Sequence, residues 1–402
     1  MQDSRTILFF CFKFGLGGTE TLILRLIKHF ATAHYRTVLL TEAPIHENVK
    51  RDVESFQFEH YIYNISSNKF ESEVASLSFD KHEKPLVITH FLPEFLKCYV
   101  ELSYKRYGVT FRHLVHIVHP HSTFYGPKQL TLLARLMIRV FLKKRNILFM
   151  DETCANECFQ FYRLPQSTKY ELLRLPLIIN DDNLTKQKNR EFNILTITRY
   201  EFPFKGYVLG LIRSFSKLCQ QFENISLTII GYGRDEAEVK NELTLLEPSI
   251  RSKITILAQV PYIQVEDYIR MCDCYVGMGT TVLDAANLNK IVITAVAYQR
   301  EDNAVGFFHE NYQTIGEIFN ATKKYPDFES LLEKVISLKE DTFRSMSAES
   351  KKVLTEHYDI SQISDKLITH GNQNFTYRED LLIRTLANIQ SVSNAIIRKL
   401  KG

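Results

Sequence analysis

The sequence is poor in long apolar runs: no window reaches the roughly 18 uncharged apolar residues that a membrane-spanning helix needs. Its opening, MQDSRTILFFCFKFGLGG, is apolar for too few residues and is followed by no small-residue cleavage signature, so no secretory leader is expected either. Charge of one sign is not in excess, with 50 Lys and Arg against 46 Asp and Glu and a net charge of +4. A nucleic-acid binder of that balance must concentrate its cations locally, and without a recognisable reading module nucleic acid is not an expected partner. Cysteine is sparse: seven residues, an odd number, are scattered through the chain. Reduced thiols in the cytoplasm are expected rather than a disulfide framework. The pairs Cys154/Cys158 and Cys272/Cys274 lack the repeated spacing of a zinc site, so no structural metal is expected.

What is present is an ordinary folded composition, 45% hydrophobic, 24% charged and 12% aromatic, over 402 residues, which suits two globular domains. Apolar runs of strand length alternate with helical patterns. The first half reads as strands at 6–12, 37–40, 85–89, 114–118 and 147–150, with a helix after Gly18 that puts Leu22, Leu26, Ile27 and Phe30 on one face. Between Ile178 and Phe192 the periodicity disappears into Asn, Asp, Lys and Gln, which marks residues 179–191 as an interdomain linker. The alternation resumes from 192, with strands at 192–198, 226–230, 253–257, 274–277 and 291–295. From Phe328 the pattern turns helical. The expected fold is α/β: two doubly wound, parallel-sheet domains, 1–178 and 192–370, facing across a cleft, and a helical segment, 371–402, that packs back on the first. Ligands of such sheets sit at the carboxyl ends of the strands.

Three strand-to-helix loops carry residues suited to a phosphate. Gly15–Leu16–Gly17–Gly18–Thr19–Glu20 frees the backbone at a helix start; it reads as an anion site or as an empty tight turn. It lacks the dinucleotide glycine spacing, with Glu42 as the nearest acidic residue after the second strand. Arg199 and Lys205 share the loop after the strand at 192–198, where they suit a diphosphate or form a solvated surface pair. Gly277–Met278–Gly279–Thr280–Thr281 opens another helix, with Asp284 one turn in, either to accept from ribose hydroxyls or to favour the helix dipole.

Taken together these loops resemble the retaining family 4 glycosyltransferases of the GT-B fold, over nearly the whole chain. The family's GG-x-E turn is Gly17–Gly18–Thr19–Glu20, its Arg followed by Lys-Gly is Arg199 with Lys205–Gly206, and its later G-x-G is Gly231–Tyr232–Gly233. Its E-G-F-G-x-x-x-x-E signature corresponds to Val276 through Asp284, with Val for the first Glu and Asp for the second. In the family the second Glu holds the ribose and the first lies near the donor sugar. The resemblance implies donor contacts at Gly17, Gly18, Gly231, Gly233, Gly279, Thr280, Thr281 and Asp284, with main-chain contacts to the base at Val260 and Tyr262. It implies a histidine near the donor sugar and phosphate. His119 is the first choice and His121 the second, although residues two apart on a strand can equally pack or bind metal. His90 is the candidate on the acceptor side.

The function implied is hexosyl transfer from a nucleotide-diphosphate sugar to a glycan or lipid-linked acceptor, with retention, in assembly of a surface polysaccharide such as lipopolysaccharide or capsule. Same-face attack needs no carboxylate nucleophile, and with no clear D-x-D motif neither a metal nor another cofactor is expected. A sugar-nucleotide epimerase of the same fold and a catalytically silent binding subunit are the alternatives. Arg135, Arg139, Lys143, Lys144 and Arg145 lie among Leu132, Leu133, Leu136, Met137, Val140 and Phe141, as in a helix on anionic lipid at the inner face of the membrane or as in an ordinary domain helix.

Overall fold

The computed structural model describes residues 6–15, 17–45, 58–64, 69–71, 77–102, 107–123, 131–180, 188, 191–317, 323–370 and 375–401. The chain divides into two compact units, Met1–Ile178 with Ile360–Gly402, and Ile179–Asp359. Most of the linker expected at 179–191 lies outside the described residues.

Unit 1 is built on β1 (Thr6–Cys11), β2 (Arg36–Thr41), β3 (Glu59–Asn64), β4 (Lys69–Glu71), β5 (Leu86–Thr89), β6 (Arg112–Ile117), β7 (Ile147–Phe149) and β8 (Glu171–Leu172). They lie in the order β4-β3-β2-β1-β5-β6-β7-β8, parallel except for the β3/β4 pair. Every residue of β1 is buried, as a strand covered on both faces requires. Ile7 pairs with Thr37 on one side and Leu86 on the other, which fixes β1 in the middle of the sheet. Helices α1 (Gly18–Thr32), α2 (Leu92–Glu101), α3 (Thr131–Lys143) and α4 (Glu152–Tyr162) connect the strands. α1 buries Leu22, Ile23, Leu26, Ile27 and Phe30, the stripe expected of a helix on a sheet.

Unit 2 has β9 (Phe192–Arg199), β10 (Ile225–Tyr232), β11 (Ile254–Leu257), β12 (Cys274–Gly277), β13 (Ile291–Ala295) and β14 (Ala304–Phe307), in the order β11-β10-β9-β12-β13-β14. All pairs are parallel but β13/β14. Its helices are α5 (Tyr207–Leu218), α6 (Glu236–Thr244), α7 (Pro248–Arg251), α8 (Tyr262–Met271), α9 (Thr280–Asn287), α10 (Phe328–Ile336) and α11 (Glu340–Tyr358). Apolar residues of β9, β10, β12 and β13, with α5 and α10, share one core. From β9 the chain winds outward through β10 and β11 and then returns to β12 on the other side. The strand order therefore reverses between β9 and β12, where a doubly wound sheet opens a crevice at its carboxyl ends.

The second domain is expected from sequence to run to 370, but the structure returns the chain to unit 1 at Ile360. Helix α12 (Ile360–His370) buries Ile360, Ile363 and Leu367, and its Ser364 hydroxyl meets His29 of α1 at 2.8 Å. Helix α13 (Tyr377–Lys401) then crosses α2 and α3. Arg384 ties it down: the guanidinium donates to Asp380 at 3.0 Å and to the carbonyl oxygens of Tyr99 and Val100 at 2.8 and 3.2 Å, and it lies 5.0 Å from the Tyr99 ring. The Tyr99 hydroxyl closes the network by donating to Asp380 at 2.7 Å. Arg384→Met should lower the unfolding free energy by about 1.5–3 kcal/mol in urea melts, the usual worth of hydrogen bonds to charged groups. An unchanged midpoint would show that apolar contacts alone hold α13.

Candidate functional site

The carboxyl end of the unit 2 sheet is a set of loops joined by main-chain hydrogen bonds. The Tyr200 amide donates to Tyr232 O at 2.8 Å, and the Asp235 amide returns to Tyr200 O at 3.2 Å, binding the loop after β9 to the loop after β10. The Asp235 carboxylate takes the Phe202 amide at 2.6 Å. On the other side, the amides of Tyr298, Ala297 and Gly279 donate to Phe204 O at 3.0 Å, Gly316 O at 3.1 Å and Ile315 O at 2.7 Å. These bonds run from the segment holding Lys205, through the loop after β13 and the segment 315–317, to the start of α9. All lie at the crevice end of the strands.

The glycines there do two different things. A β-carbon on Gly231 would lie 2.6 Å from the Tyr200 ring, and Gly233, at φ +149°, presses on the Tyr200 main chain. Both make room for a buried tyrosine, a duty that accounts for them without a ligand. Gly279, at φ +81°, has no atom of the described residues within 4 Å of its would-be β-carbon, so among them its side is open at the N-terminus of α9. Amides at such a helix start favour an anion.

Lys205 is half-buried on this rim. Desolvation, with Arg199 nearby, pulls its ammonium down to about 8, against the opposing pull of Glu317 and Glu201. Arg199 is exposed and pairs with Glu201 at 3.3 Å. The Thr281 hydroxyl oxygen accepts from buried Tyr275 at 2.6 Å and so is committed inside the unit, which leaves Thr281 its amide for an anion. Asp284 is half-buried one turn into α9. Val276 is a fully buried core residue of β12, so a side chain at that position points into packing rather than toward a ligand. Val260 is half-buried in the loop after β11, and Tyr262 begins α8. Sequence reasoning does not single out Glu317, Tyr200 or Tyr275. Glu317 follows an irregular stretch with no motif around it, and Tyr200 meets Gly231 and Gly233 only through the tertiary fold.

In unit 1, Gly17 caps α1 with extended backbone, and the Glu20 carboxylate folds back over it, within 2.3 Å of where a β-carbon would stand. Gly18 is the first residue of α1. The N-terminus of α1 thus already faces a carboxylate of its own chain, which meets part of its demand for negative charge. Glu42 is paired with Lys97 at 2.7 Å. His119 Nδ1 accepts from the His121 amide at 3.2 Å, so the neutral ring carries its proton on Nε2. Burial, aided by His121, holds His119 down to about 4 and hence neutral at physiological pH. His121 is exposed. His90 is buried, not on the surface: Nδ1 donates to His116 O at 3.0 Å, and Nε2 is enclosed without a partner among the described residues. Beside it at the start of α2, Glu94 is 4% exposed and accepts the Phe12 amide at 3.0 Å. Burial pushes its carboxyl up to about 8.

The cationic stretch divides in two. Helix α3 turns Ala134, Met137, Ile138 and Phe141 into the core. Lys144 pairs with Glu379 at 2.9 Å and Arg145 with Glu171 at 3.4 Å. Exposed Leu132, Leu136, Arg139 and Lys143, with half-buried Arg135, make up the outer face of α3. Among the described residues no helix is long and apolar enough to cross a membrane, and no cluster of three or more His, Cys, Asp or Glu is placed to hold a metal ion.

Two Rossmann-like units, each a largely parallel sheet with its strand order reversing beside the first strand, constitute the GT-B fold. Solved structures of low identity share it. HepE (Alr3699) of Anabaena in complex with UDP superimposes with a TM-score of 0.61 at 13% identity, over 90% of this chain and 98% of that one. A glycosyltransferase from Rickettsia africae gives 0.61 at 13% identity over 92% and 98%. A mutant of TarM from S. aureus, in complex with fondaparinux, alpha-GlcNAc-glycerol and UDP, gives 0.57 at 10% identity over 91% and 99%. In sequence, residues 181–352 match the family Glycosyl transferases group 1, a span that takes in every unit 2 loop described above. No curated protein matches the sequence.

The buried Glu94 carboxyl generates a prediction. An unfolded glutamate ionises near 4.3, whereas the folded one keeps its proton to about 8, so stability falls as pH rises between those values. Glu94→Gln retains an acceptor for the Phe12 amide and removes that dependence. Urea melts should show the variant gaining on the wild type between pH 5 and pH 8; parallel curves would contradict the assignment.

Proposed function

We propose that the protein transfers a hexosyl unit from a nucleotide-diphosphate sugar to a glycan or lipid-linked acceptor, with retention at the anomeric carbon and without a metal ion or other cofactor. The observation that carries this reading is the continuous rim joining Lys205, beside Arg199, to the open N-terminus of α9 at the crevice end of unit 2. A diphosphate needs cations and unengaged amides, and this rim offers both. The match of residues 181–352 to Glycosyl transferases group 1, and UDP in neighbours of the same fold, support it.

In the reaction the bond from the anomeric carbon to the phosphate oxygen breaks, the acceptor hydroxyl oxygen bonds to that carbon from the same face, and its proton passes to the departing phosphate. Negative charge grows on that phosphate, where Lys205, Arg199 and the amides of Thr280 and Thr281 lower the barrier by being already in place. Asp284 accepts from the ribose hydroxyls, the main chain at Val260 and Tyr262 meets the base, and Gly279 lets the backbone approach, while Gly231 and Gly233 serve by seating Tyr200 beneath the loops. In the first unit, the resemblance to family 4 enzymes supports the Gly17–Gly18 turn, the Nε2–H of His119 and the neighbouring His121 as sugar- or phosphate-binding groups, whereas His90, sealed in that unit, is left with a packing role. The resemblance to family 4 enzymes supports retention and a role in surface-polysaccharide assembly at the cytoplasmic face of the membrane.

Lys205→Ala and Arg199→Ala should each reduce kcat by about 10²- to 10³-fold, the usual cost of one charge-stabilising donor. With Lys205 deprotonating near 8, kcat/KM for the donor should fall as pH rises through that value, and Lys205→Arg should remove the decline. A profile flat from pH 7 to 9.5 in the wild type contradicts the role of Lys205.

The outer face of α3 is proposed to rest on anionic lipid through Arg135, Arg139 and Lys143, with Leu132 and Leu136 entering the headgroup layer. Lys144 and Arg145 are engaged in internal ion pairs and contribute less. Glutamine at all three of Arg135, Arg139 and Lys143 should abolish sedimentation with vesicles rich in phosphatidylglycerol. Unchanged sedimentation excludes this helix as the anchor.

A further inference from the structure

Resting on the proposed donor site, we infer that Glu317 is the residue that accepts hydrogen bonds from hydroxyls of the transferred sugar and so determines which sugar is used. A hexose presents hydroxyl donors, and a carboxylate is the strongest acceptor a side chain offers them. Val276, at the start of the Gly-Met-Gly turn, is sealed in the core and cannot serve. Glu201 is drawn to Arg199, and Asp284 sits down the helix from the anion position. Glu317 is close enough to Lys205 to oppose the fall of its pKa. It is therefore beside the expected diphosphate but is repelled by it, which suits a group that reads the neutral, hydroxyl-rich end of the donor.

Its backbone is held where such a reader must be. Ile315 O takes the Gly279 amide at the start of α9, and Gly316 O takes the Ala297 amide at the end of β13. Gly316, at φ +92°, lies so close to Ala295 O and the Met278 side chain that a β-carbon there would stand 2.4 and 2.8 Å from them. The half-buried Glu317 thus extends from a segment locked between the ends of β12 and β13, and little ordering remains to be done on binding.

The test compares wild type with Glu317→Gln, using calorimetry with UDP and UDP-glucose, then with other nucleoside diphosphates and their sugars, and turnover with the pair that binds. The variant should bind the nucleoside diphosphate within about threefold of wild type and lose about 10- to 100-fold in kcat/KM for the sugar donor, the worth of a hydrogen bond to a charged group. A deoxy donor lacking the contacted hydroxyl should cost the wild type a similar factor and the variant nothing more. Equal changes in affinity for diphosphate and sugar donor would mean that Glu317 acts only through the charge of Lys205, and equal penalties for every deoxy donor in both proteins would likewise overturn the proposal. Failure of the wild type to bind any of these nucleotides would instead overturn the donor site itself.

Discussion

The reversal of strand order beside β9 is the constraint from which the candidate site follows. Strands β10 and β11 leave β9 on one side and β12 and β13 leave it on the other, so the helices after β9 and β12 cannot pack over the same edge and their connecting loops part. Into that opening the chain directs the N-terminus of α9 and the loop with Arg199 and Lys205. The same principle operates in unit 1, where the reversal lies between β1 and β5 and places Phe12, Gly17, His90 and Glu94 at one end of the sheet.

Main-chain hydrogen bonds then turn an opening into a rigid frame. Bonds from Gly279 to Ile315, from Ala297 to Gly316 and from Tyr298 to Phe204 stitch together connections that are far apart in sequence. Rigidity matters because a preorganised set of amides and cations needs no reorganisation when charge develops. The same frame holds the Lys205 ammonium in a place that disfavours its charge.

Much of this is legible in the residues. Parallel strands buried on both faces are continuous apolar runs, so β1, β9, β12 and β13 can be read nearly to the residue. The Arg199, Lys205 and Gly279 loops stand out because Gly, Thr and cations clustered after a strand are seldom demanded by packing alone. Strands at or next to the sheet edges carry no such pattern: β3 contains Glu, His and Asn, β8 has two residues, and β14 is only Ala-Val-Gly-Phe. Glycines invite over-reading, since Gly231 and Gly233 answer to the bulk of Tyr200, a tertiary contact without a local signature. Val276 looks like a lost site residue in the sequence, whereas its place in β12 makes it part of the core. Glu317 is invisible there because main-chain bonds, not its neighbours in sequence, bring it to the site. The return of the chain to unit 1 at Ile360 rather than at 371 depends on which surface α12 covers, which its own amphipathic pattern does not specify.

The most direct measurement is a crystal structure of the full chain with a nucleoside diphosphate bound. The account predicts the pyrophosphate at the N-terminus of α9, within hydrogen-bond distance of the Thr280 or Thr281 amide and of Lys205 Nζ. A pyrophosphate bound away from the carboxyl end of the β9–β12 pair, with Lys205 still facing solvent, would contradict it.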